Sequence, residues 1–243
     1  MKHDVSKSLV DEIRAELERD TRVNMHKSPV YVWFEAGKIV LDGQIDNIAA
    51  KRSAVNIAHK LTQGQCPIMD LLRVTPGRNM EDLELRDEVI NMLAKEPVFS
   101  DYTLVTRVDQ HAETVHDALS SSRRIIVNIH NGVVTLSGQV GSLTHKRLAE
   151  VLAWWTAGCV AVHNKLEVFP AEEDHDNELT DAVLTVLEKD PMVHASQLHV
   201  GTAGGVVELD GFVPSREEKQ LAVLDTWYVP GVWDVIDRIK THR

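Results

Sequence analysis

The chain has 243 residues, a length that allows one or two ordinary domains unless it consists of smaller repeats. Hydrophobic residues make up 43% and charged residues 26%, as in a folded globular protein, which excludes a disordered chain and a coiled coil. The formal net charge of −11 argues against a general nucleic-acid-binding protein, because such a protein needs a basic face to displace phosphate counterions.

Neither a membrane-spanning segment nor a secretory leader is predicted. No window reaches the roughly 18 uninterrupted apolar residues of a transmembrane helix. Acidic and basic residues run through residues 1–20 without the apolar stretch of a signal peptide, so we expect a cytoplasmic protein. Cys66 and Cys159 form no CxxC pair, so we expect two reduced thiols and no zinc or redox motif.

One pattern occurs three times along the chain in the same internal order, as in a repeat protein. Each repeat begins with apolar residues at i, i+4 and i+8, which form one stripe of an amphipathic helix. The stripes are Leu9-Ile13-Leu17, Leu85-Val89-Leu93 and Leu179-Val183-Leu187. Pro97 and Pro191 follow two of these stripes and predict the end of the helix there.

A β-hairpin is predicted after each of these helices. Its first strand is a β-rich run, VYVWFE, IIVNIH or LHV. Its second strand alternates in polarity between two glycines, which are Gly37 and Gly43, Gly132 and Gly138, and Gly205 and Gly211. Strict alternation is typical of a strand with one buried and one largely wet face, and the first glycine indicates a tight turn.

A second helix and a closing strand complete each repeat. The helix carries Lys51-Arg52, Lys146-Arg147 or Lys219-Gln220 and ends near a glycine suited to a helix C-cap. The closing strands contain Ile68-x-Asp70-x-Leu72, Val162-x-Asn164-x-Leu166 and Val235-x-Asp237-x-Ile239. We therefore predict an α+β fold of three tandem α-β-β-α-β units, residues 1–78, 79–170 and 171–243. Each unit is predicted to be a small three-stranded mixed sheet with two helices on one face.

The second repeat carries an insert of about twenty residues. The distance from the first helical leucine to the first hairpin glycine is 28, 47 and 26 residues in the three repeats. Within the insert, Val108, Ala112, Val115 and Leu119 recur at i, i+4, i+7 and i+11, which predicts an additional amphipathic helix at about residues 105–122. This helix either covers the core of the second repeat or contacts another repeat or a partner.

These patterns together resemble the BON domain, named for bacterial OsmY and nodulation proteins. The resemblance covers roughly residues 8–76, 83–170 and 178–243, and GVVTLSGQV and VAVHNKLEV of the second repeat match best. It implies a bacterial, non-catalytic binding module associated with osmotic and envelope stress, with phospholipid surfaces and, in some members, with potassium sensing. It also implies a periplasmic location if a leader has been removed.

No catalytic or metal-binding motif is present, since the chain has no P-loop, GxGxxG, GxSxG or HExxH sequence. His111 and His116 are five residues apart on the predicted extra helix, and His194 and His199 are five apart on a predicted strand. Neither spacing brings two imidazoles onto one metal. The acidic run around His175 predicts a solvated linker, with a loosely held cation as the alternative. We expect no enzyme, no cofactor and no metal site.

The polar residue of each closing strand has the same strand parity as its apolar neighbours. Asp70, Asn164 and Asp237 therefore point toward the core, where each needs a hydrogen-bond partner. Backbone amides of a neighbouring turn are the predicted partners, and binding of an ion or small ligand is the alternative.

Candidate binding residues are aromatic and basic side chains of the second helices. Trp154-Trp155 and Trp227-Tyr228 end two of these helices, and adjacent helical residues cannot both face one core. One of each pair should lie at a rim, packed against another repeat or exposed to a partner or bilayer. The basic candidates are Lys51, Arg52, Lys146 and Arg147.

Charge changes sign along the chain. Residues 1–78 contain 12 basic and 10 acidic residues, residues 79–170 contain 8 and 12, and residues 171–243 contain 6 and 15. An anionic lipid surface would therefore be met by the first repeat and repelled by the third. Head-to-tail charge complementarity, within one molecule or between two, is the alternative.

The favoured function is a stress-associated interaction protein that binds a protein or a phospholipid membrane surface and no nucleic acid. The alternative is a soluble small-ligand or cation-binding protein of the potassium type, using Asp70, Asp237 or the acidic third repeat. Homo-oligomerisation through packing between repeats is a further expectation.

Overall fold

The computed structural model describes residues 2–108, 111–118 and 123–241. These residues form six α-helices and three mixed β-sheets, which confirms the predicted α+β class. The chain divides into two compact units, residues 1–75 and 76–243. The first unit holds repeat 1, and the second holds repeats 2 and 3.

The first unit is a single sheet with two helices. Its elements in chain order are α1 (Lys2–Arg19), β1 (Tyr31–Glu35), β2 (Lys38–Ile45), α2 (Ile48–Thr62) and β3 (Ile68–Val74). β1 pairs antiparallel with β2, and β2 pairs parallel with β3. Ile13 and Leu17 of the predicted helical stripe are fully buried, as are Ile39 and Leu41 of the alternating strand. The helical and the strand patterns therefore meet in one core.

The second unit contains two sheets and four helices over the described residues. Repeat 2 consists of α3 (Asp82–Lys95), β4 (Thr103–Val108), β5 (His111–His116), β6 (Arg124–His130), β7 (Val133–Val140), α4 (Leu143–Trp155) and β8 (Ala161–Val168). Repeat 3 consists of α5 (Asp176–Lys189), β9 (Leu198–Ala203), β10 (Val206–Val213), α6 (Arg216–Tyr228) and β11 (Asp234–Thr241). The strand orders are β5-β4-β6-β7-β8 and β11-β10-β9. α4 packs against α3, α5 and α6, so the two repeats share one layer of helices.

Each second helix begins at a capped position. The side chains of Asn47, Ser142 and Ser215 accept a hydrogen bond from the amide three residues further on, which satisfies one of the unpaired amides at the start of α2, α4 and α6. These polar residues therefore fix where the chain leaves the hairpin and turns into the helix.

The extra helix predicted at about residues 105–122 is wrong. The structure has an antiparallel pair here, β4 and β5, and β4 also runs parallel to β6. Thr103, Val105 and Thr106 are β-branched and suit a pleated strand, and this preference outweighs the helical spacing of the apolar residues. Leu119, the last residue of the predicted stripe, lies outside the described residues. The second sheet consequently has five described strands and not the three predicted.

The second glycine of each hairpin lies against the main chain of the neighbouring strand. A Cβ atom at Gly43, Gly138 or Gly211 would lie under 3.0 Å from a carbonyl oxygen, that of Pro29, Arg124 or Gln197 respectively. All three glycines also have positive φ angles, which L side chains rarely adopt. Only glycine therefore fits this position without a shift of the strand.

A substitution pair tests this requirement. Gly211→Ala should destabilise the second unit by about 2–4 kcal/mol, because the new Cβ meets the Gln197 carbonyl at a strained φ. Gly201→Ala on the adjacent β9 should change stability by less than about 0.5 kcal/mol, since its Cβ meets nothing within 4 Å. Urea denaturation followed by tryptophan fluorescence measures both, and equal effects would contradict the steric explanation.

Candidate functional site

The polar residue of the first closing strand is bound to the helix before it. Lys51 Nζ donates to both carboxylate oxygens of Asp70, at 2.7 and 2.6 Å, and to the Leu72 carbonyl at 2.7 Å. Asp70 Oδ1 also accepts from the Leu72 amide at 3.0 Å. The carboxylate is thus matched by an ammonium group of α2 and by the main chain of its own strand.

The other two repeats use related contacts. In repeat 3, Lys219 Nζ lies 3.0 Å from Asp237 Oδ2, and the Ile239 amide donates to Asp237 Oδ1. In repeat 2, Asn164 donates to the Lys146 carbonyl at 2.9 Å and accepts from the Leu166 amide. The predicted hydrogen-bonding role is confirmed, but the amide belongs to the same strand and not to a neighbouring turn. The lysine partners of the two aspartates were not predicted.

The predicted basic candidates do not share one exposed surface. Lys51 and Arg147 are buried, at 8% and 4% exposure, whereas Arg52 and Lys146 are half-buried. The Arg147 guanidinium donates to both oxygens of Asp174, at 2.6 and 2.7 Å, and to the Pro230 carbonyl at 3.0 Å. Surface placement is therefore wrong for Lys51 and Arg147, because both side chains are buried and each is bound to a carboxylate.

The predicted aromatic candidates lie where repeats 2 and 3 pack together. Trp154 and Trp227 are buried, and Trp155 and Tyr228 are half-buried. The ring centroids of Trp154 and Tyr228 are 6.3 Å apart at an interplanar angle of 40°. One residue of each pair is thus more exposed than the other, as predicted, whereas the surface assignment is wrong for Trp154 and Trp227, since the end of α4 packs against the end of α6 inside the second unit.

A buried carboxyl group lies beside these aromatic residues. Asp225 of α6 is 4% exposed. Burial, together with a hydrogen bond to Asp190 and the charge of that carboxylate, raises the pKa of Asp225 to about 8, and a hydrogen bond from Trp155 opposes this rise. Burial and the nearby Asp225 likewise raise the pKa of Tyr228 to about 12. With a pKa of about 8, Asp225 is mostly protonated at neutral pH and can donate to the Asp190 carboxylate. The sequence held no signal for this pair, because the two residues meet only through packing of α5 and α6.

Histidines do not assemble into a metal centre in the part of the chain that the structure describes. No group of three or more His, Cys, Asp or Glu residues in that part could hold a metal ion. His145 Nδ1 lies 2.7 Å from Tyr102 Oη, and burial, with the charge of Arg123, lowers the pKa of His145. His194 Nδ1 lies 2.8 Å from Glu218 Oε1. These imidazoles therefore have protein partners.

An exposed apolar surface lies on the first sheet. Val40 of β2 is in register with Trp33 of β1 and Met69 of β3. In the next row, Tyr31 and Leu71 flank the acidic Asp42 of β2. Tyr31 is 60% exposed, Leu71 45% and Met69 38%, whereas the central Val40 is 2% exposed. We call the five apolar and aromatic residues of these two rows the outer apolar face. It is the surface of the first unit best suited to contact a large apolar or amphipathic partner.

The outer apolar face was missed at the level of sequence, although a signal was present. The run from Ile68 to Val74 is apolar in both strand phases, as expected for a strand with two apolar faces. The corresponding face of the second sheet carries Asn128, Thr135 and His163 in register. That of the third carries Glu208, Asp210 and Arg238. Among the three described sheets, only repeat 1 has a fully apolar row at this position, Trp33-Val40-Met69, whereas Asp42 and Asp210 hold equivalent positions in repeats 1 and 3.

The helices do not offer a membrane-spanning element. Over the described residues, no helix is long and apolar enough to cross a bilayer.

Comparison with known proteins detects two of the three predicted repeats, the second and the third. The model of the BON domain matches residues 107–170 and 175–242, which is more than half of the chain. The chain therefore belongs to the BON-domain family. Osmotically-inducible protein Y of Escherichia coli (strain K12) is 32% identical over 149 residues, covering 59% of this chain and 74% of that protein.

Two solved structures of CdsD, a structural protein of the type III secretion system of Chlamydia trachomatis, also match. The C-terminal domain is 14% identical, covering 97% of this chain and 98% of that one, with a TM-score of 0.25. The second structure is 15% identical, covering 97% and 92%, again with a TM-score of 0.25.

The protonated Asp225 predicts a pH dependence of stability. Its folded pKa of about 8 exceeds the ordinary aspartate value of 3.8, so the folded state retains a proton that the unfolded state loses. The contribution of Asp225 to the free energy of unfolding should be constant below pH 4, fall between pH 4 and 8, and level off above pH 8. The slope in this window is about 1.4 kcal/mol per pH unit at most.

Two variants isolate this contribution. Asp225→Asn is neutral at every pH, so its stability relative to the natural chain should increase as pH rises from 4 to 8. Asp181→Asn removes an exposed carboxylate of α5 and reports the general effect of one lost negative charge. Urea denaturation at each pH measures both. A difference between Asp225→Asn and the natural chain that stays constant with pH would contradict the assignment.

Proposed function

We propose that this protein is a non-catalytic, osmotic-stress-associated interaction module whose first repeat docks on a phospholipid membrane surface. The BON-domain match and the similarity to Osmotically-inducible protein Y support the stress association and favour a binding protein over an enzyme. The docking role is carried by one observation, the outer apolar face of the first sheet.

We also infer that repeat 1 is a third, diverged BON-type repeat. It has the order α-β-β-α-β of repeat 3, and its hairpin glycine Gly43 meets the main chain as Gly211 does. Its Lys51–Asp70 pair corresponds to Lys219–Asp237. Pro67, at the entry to its last strand, is a departure that makes its sequence less typical.

The chemistry of the outer apolar face suits a bilayer interface. Tyr31 and Trp33 combine an apolar ring with a polar group, which is the character of residues at the level of lipid headgroups. Arg73 lies on the same side of β3 as Met69 and Leu71 and is exposed. Residues 1–78 carry 12 basic and 10 acidic residues, so this part of the chain is not repelled by anionic lipid. A protein surface is the alternative occupant that the experiment distinguishes.

No observation favours the cation-binding alternative. The carboxylates of Asp70 and Asp237, its strongest ligands, are paired with Lys51 and Lys219. Each lysine ammonium takes the place in which a bound cation would neutralise the carboxylate.

Vesicle co-sedimentation tests the membrane role. At low salt, the natural chain should sediment with vesicles of phosphatidylcholine and phosphatidylglycerol. The double variant Met69→Ser/Leu71→Ser should lose at least tenfold in partitioning, because burial of even one such side chain is worth roughly 1.5–3 kcal/mol. The double variant Leu83→Ser/Met192→Ser removes two exposed apolar residues of the second unit and should bind as the natural chain does.

Two results would overturn the membrane role. The first is that the natural chain binds neither these vesicles nor neutral ones, which would leave a protein surface as the occupant. The second is that both double variants lose binding equally, which would make the effect a matter of general hydrophobicity and not of the outer apolar face.

A further inference from the structure

In each repeat, the first hairpin strand has a far edge that its hairpin partner does not cover. These strands are β1, β6 and β9. In repeat 2 the far edge is filled by β4, which runs parallel to β6 with Thr103 beside Arg124 and Thr106 beside Val127. Thr106 Oγ1 also donates to the Val127 carbonyl at 3.3 Å. The fold therefore accommodates one more parallel strand at this position.

In repeat 1 the same edge is closed by two side chains. Pro29 occupies the position equivalent to Arg124 and has no amide hydrogen to offer to a further strand. Arg14 of α1 donates to the Val32 carbonyl at 2.5 Å, and Val32 is the equivalent of Val127. Blocking an edge in this way protects a sheet against unwanted pairing.

In repeat 3 neither device is present. Gln197 stands in place of Pro29, and Leu184 stands in place of Arg14. Within the described ranges, no strand lies beyond β9 and no side chain donates to its main chain. Val200 is half-buried, whereas the equivalent Val127, next to β4, is fully buried. The edge of β9 is therefore open where that of β6 is filled.

The main-chain groups of β9 are oriented to accept a strand. In an antiparallel pair, the N–H and C=O groups of one residue point to the same side. The Val127 carbonyl points toward β4, and the Val32 carbonyl points toward Arg14. Val200 occupies the equivalent position, so its amide and carbonyl point to the open edge, as do those of Thr202 two residues on.

The surface beside this edge is acidic. A shallow depression of about 630 Å³ on the outer face of the third sheet is lined by β9 together with Glu208, Asp210 and Ile236. Arg238 pairs with Glu208 at 2.9 Å, but residues 171–243 still contain 15 acidic residues against 6 basic ones. Basic side chains on alternate residues of an added strand would lie over this acidic face.

We infer that the edge of β9 binds an extended, basic segment of a partner protein, which adds to the third sheet as a parallel strand in the way that β4 adds to β6. This inference rests on the proposed interaction role. It identifies the partner bound at the β9 edge as a polypeptide with alternating basic and apolar residues. It uses residues of repeat 3 and none of the outer apolar face.

Labelled peptides of eight residues, alternating valine with lysine or valine with glutamate, test the inference on the full chain by fluorescence anisotropy. The lysine peptide should bind at least tenfold more tightly than the glutamate peptide.

Leu184→Arg, which supplies the cap found in repeat 1, should weaken lysine-peptide binding at least tenfold, whereas Leu184→Gln should not. Val200→Pro, which removes the edge amide, should weaken it similarly, and Val200→Ala should not. Amide NMR shifts on binding should centre on Val200 and Thr202.

Several outcomes would overturn this inference. One is that the lysine peptide does not bind at millimolar concentration, and another is that the lysine and glutamate peptides bind equally well. A third such outcome is that Leu184→Arg and Val200→Pro both bind the lysine peptide as tightly as the natural chain does. Self-association abolished by Leu184→Arg would assign the edge to a second copy of the chain and not to a partner protein. The same two variants should sediment with vesicles as the natural chain does, so the peptide and membrane results fail independently.

Discussion

The close main-chain approach at the second hairpin glycine sets the register on which each sheet depends. The carbonyl oxygens of Pro29, Arg124 and Gln197 lie less than 3.0 Å from the position that a Cβ would take, so the first strand of each hairpin has one position relative to the second. A shift by one residue would turn Ile39 and Leu41 from the core to solvent. The same register decides which residues form the outer face and which main-chain groups line the edge. Packing and recognition surfaces therefore follow from one steric contact.

Three repeats with one register still differ at the far edge of the hairpin. An open edge has unpaired N–H and C=O groups that any extended chain can pair with, so a sheet must cover, block or use it. Repeat 2 covers the edge with β4, and repeat 1 blocks it with Pro29 and Arg14. Both solutions require residues outside the repeated pattern, namely an insert and an arginine on α1. Over its described residues, repeat 3 has neither a covering strand nor a blocking proline and arginine. Comparison with the neighbouring repeats therefore identifies its hairpin edge as open.

Periodic features were predictable from sequence, and features of packing between repeats were not. The helical stripes and the glycine frames follow from local periods of 3.6 and 2, which a single repeat displays in full. The prediction of a helix in the insert failed because Val108, Ala112 and Val115 have helical spacing. The strand forms instead because the edge of β6 is available for pairing, and this is a property of the folded sheet. Burial of Arg147 and Trp154 likewise depends on repeat 3 lying against repeat 2, and no pattern within one repeat encodes it.

In the second unit the candidate binding surface is a sheet edge, and the helices of that unit pack against one another. Trp154 packs on Tyr228, Arg147 binds Asp174 and Pro230, and Lys189 lies 2.7 Å from Glu96, so the helical faces of repeats 2 and 3 are joined through aromatic, ionic and main-chain contacts. Asp225 lies in the same layer, and its contribution to stability falls as pH rises because its buried carboxyl group loses a proton. Within the described part of the second unit, these contacts withdraw much of the helical surface and leave the sheet faces and edges more accessible for recognition. Such surfaces recognise main chain and overall polarity, which suits broad interaction better than selective capture of one small ligand.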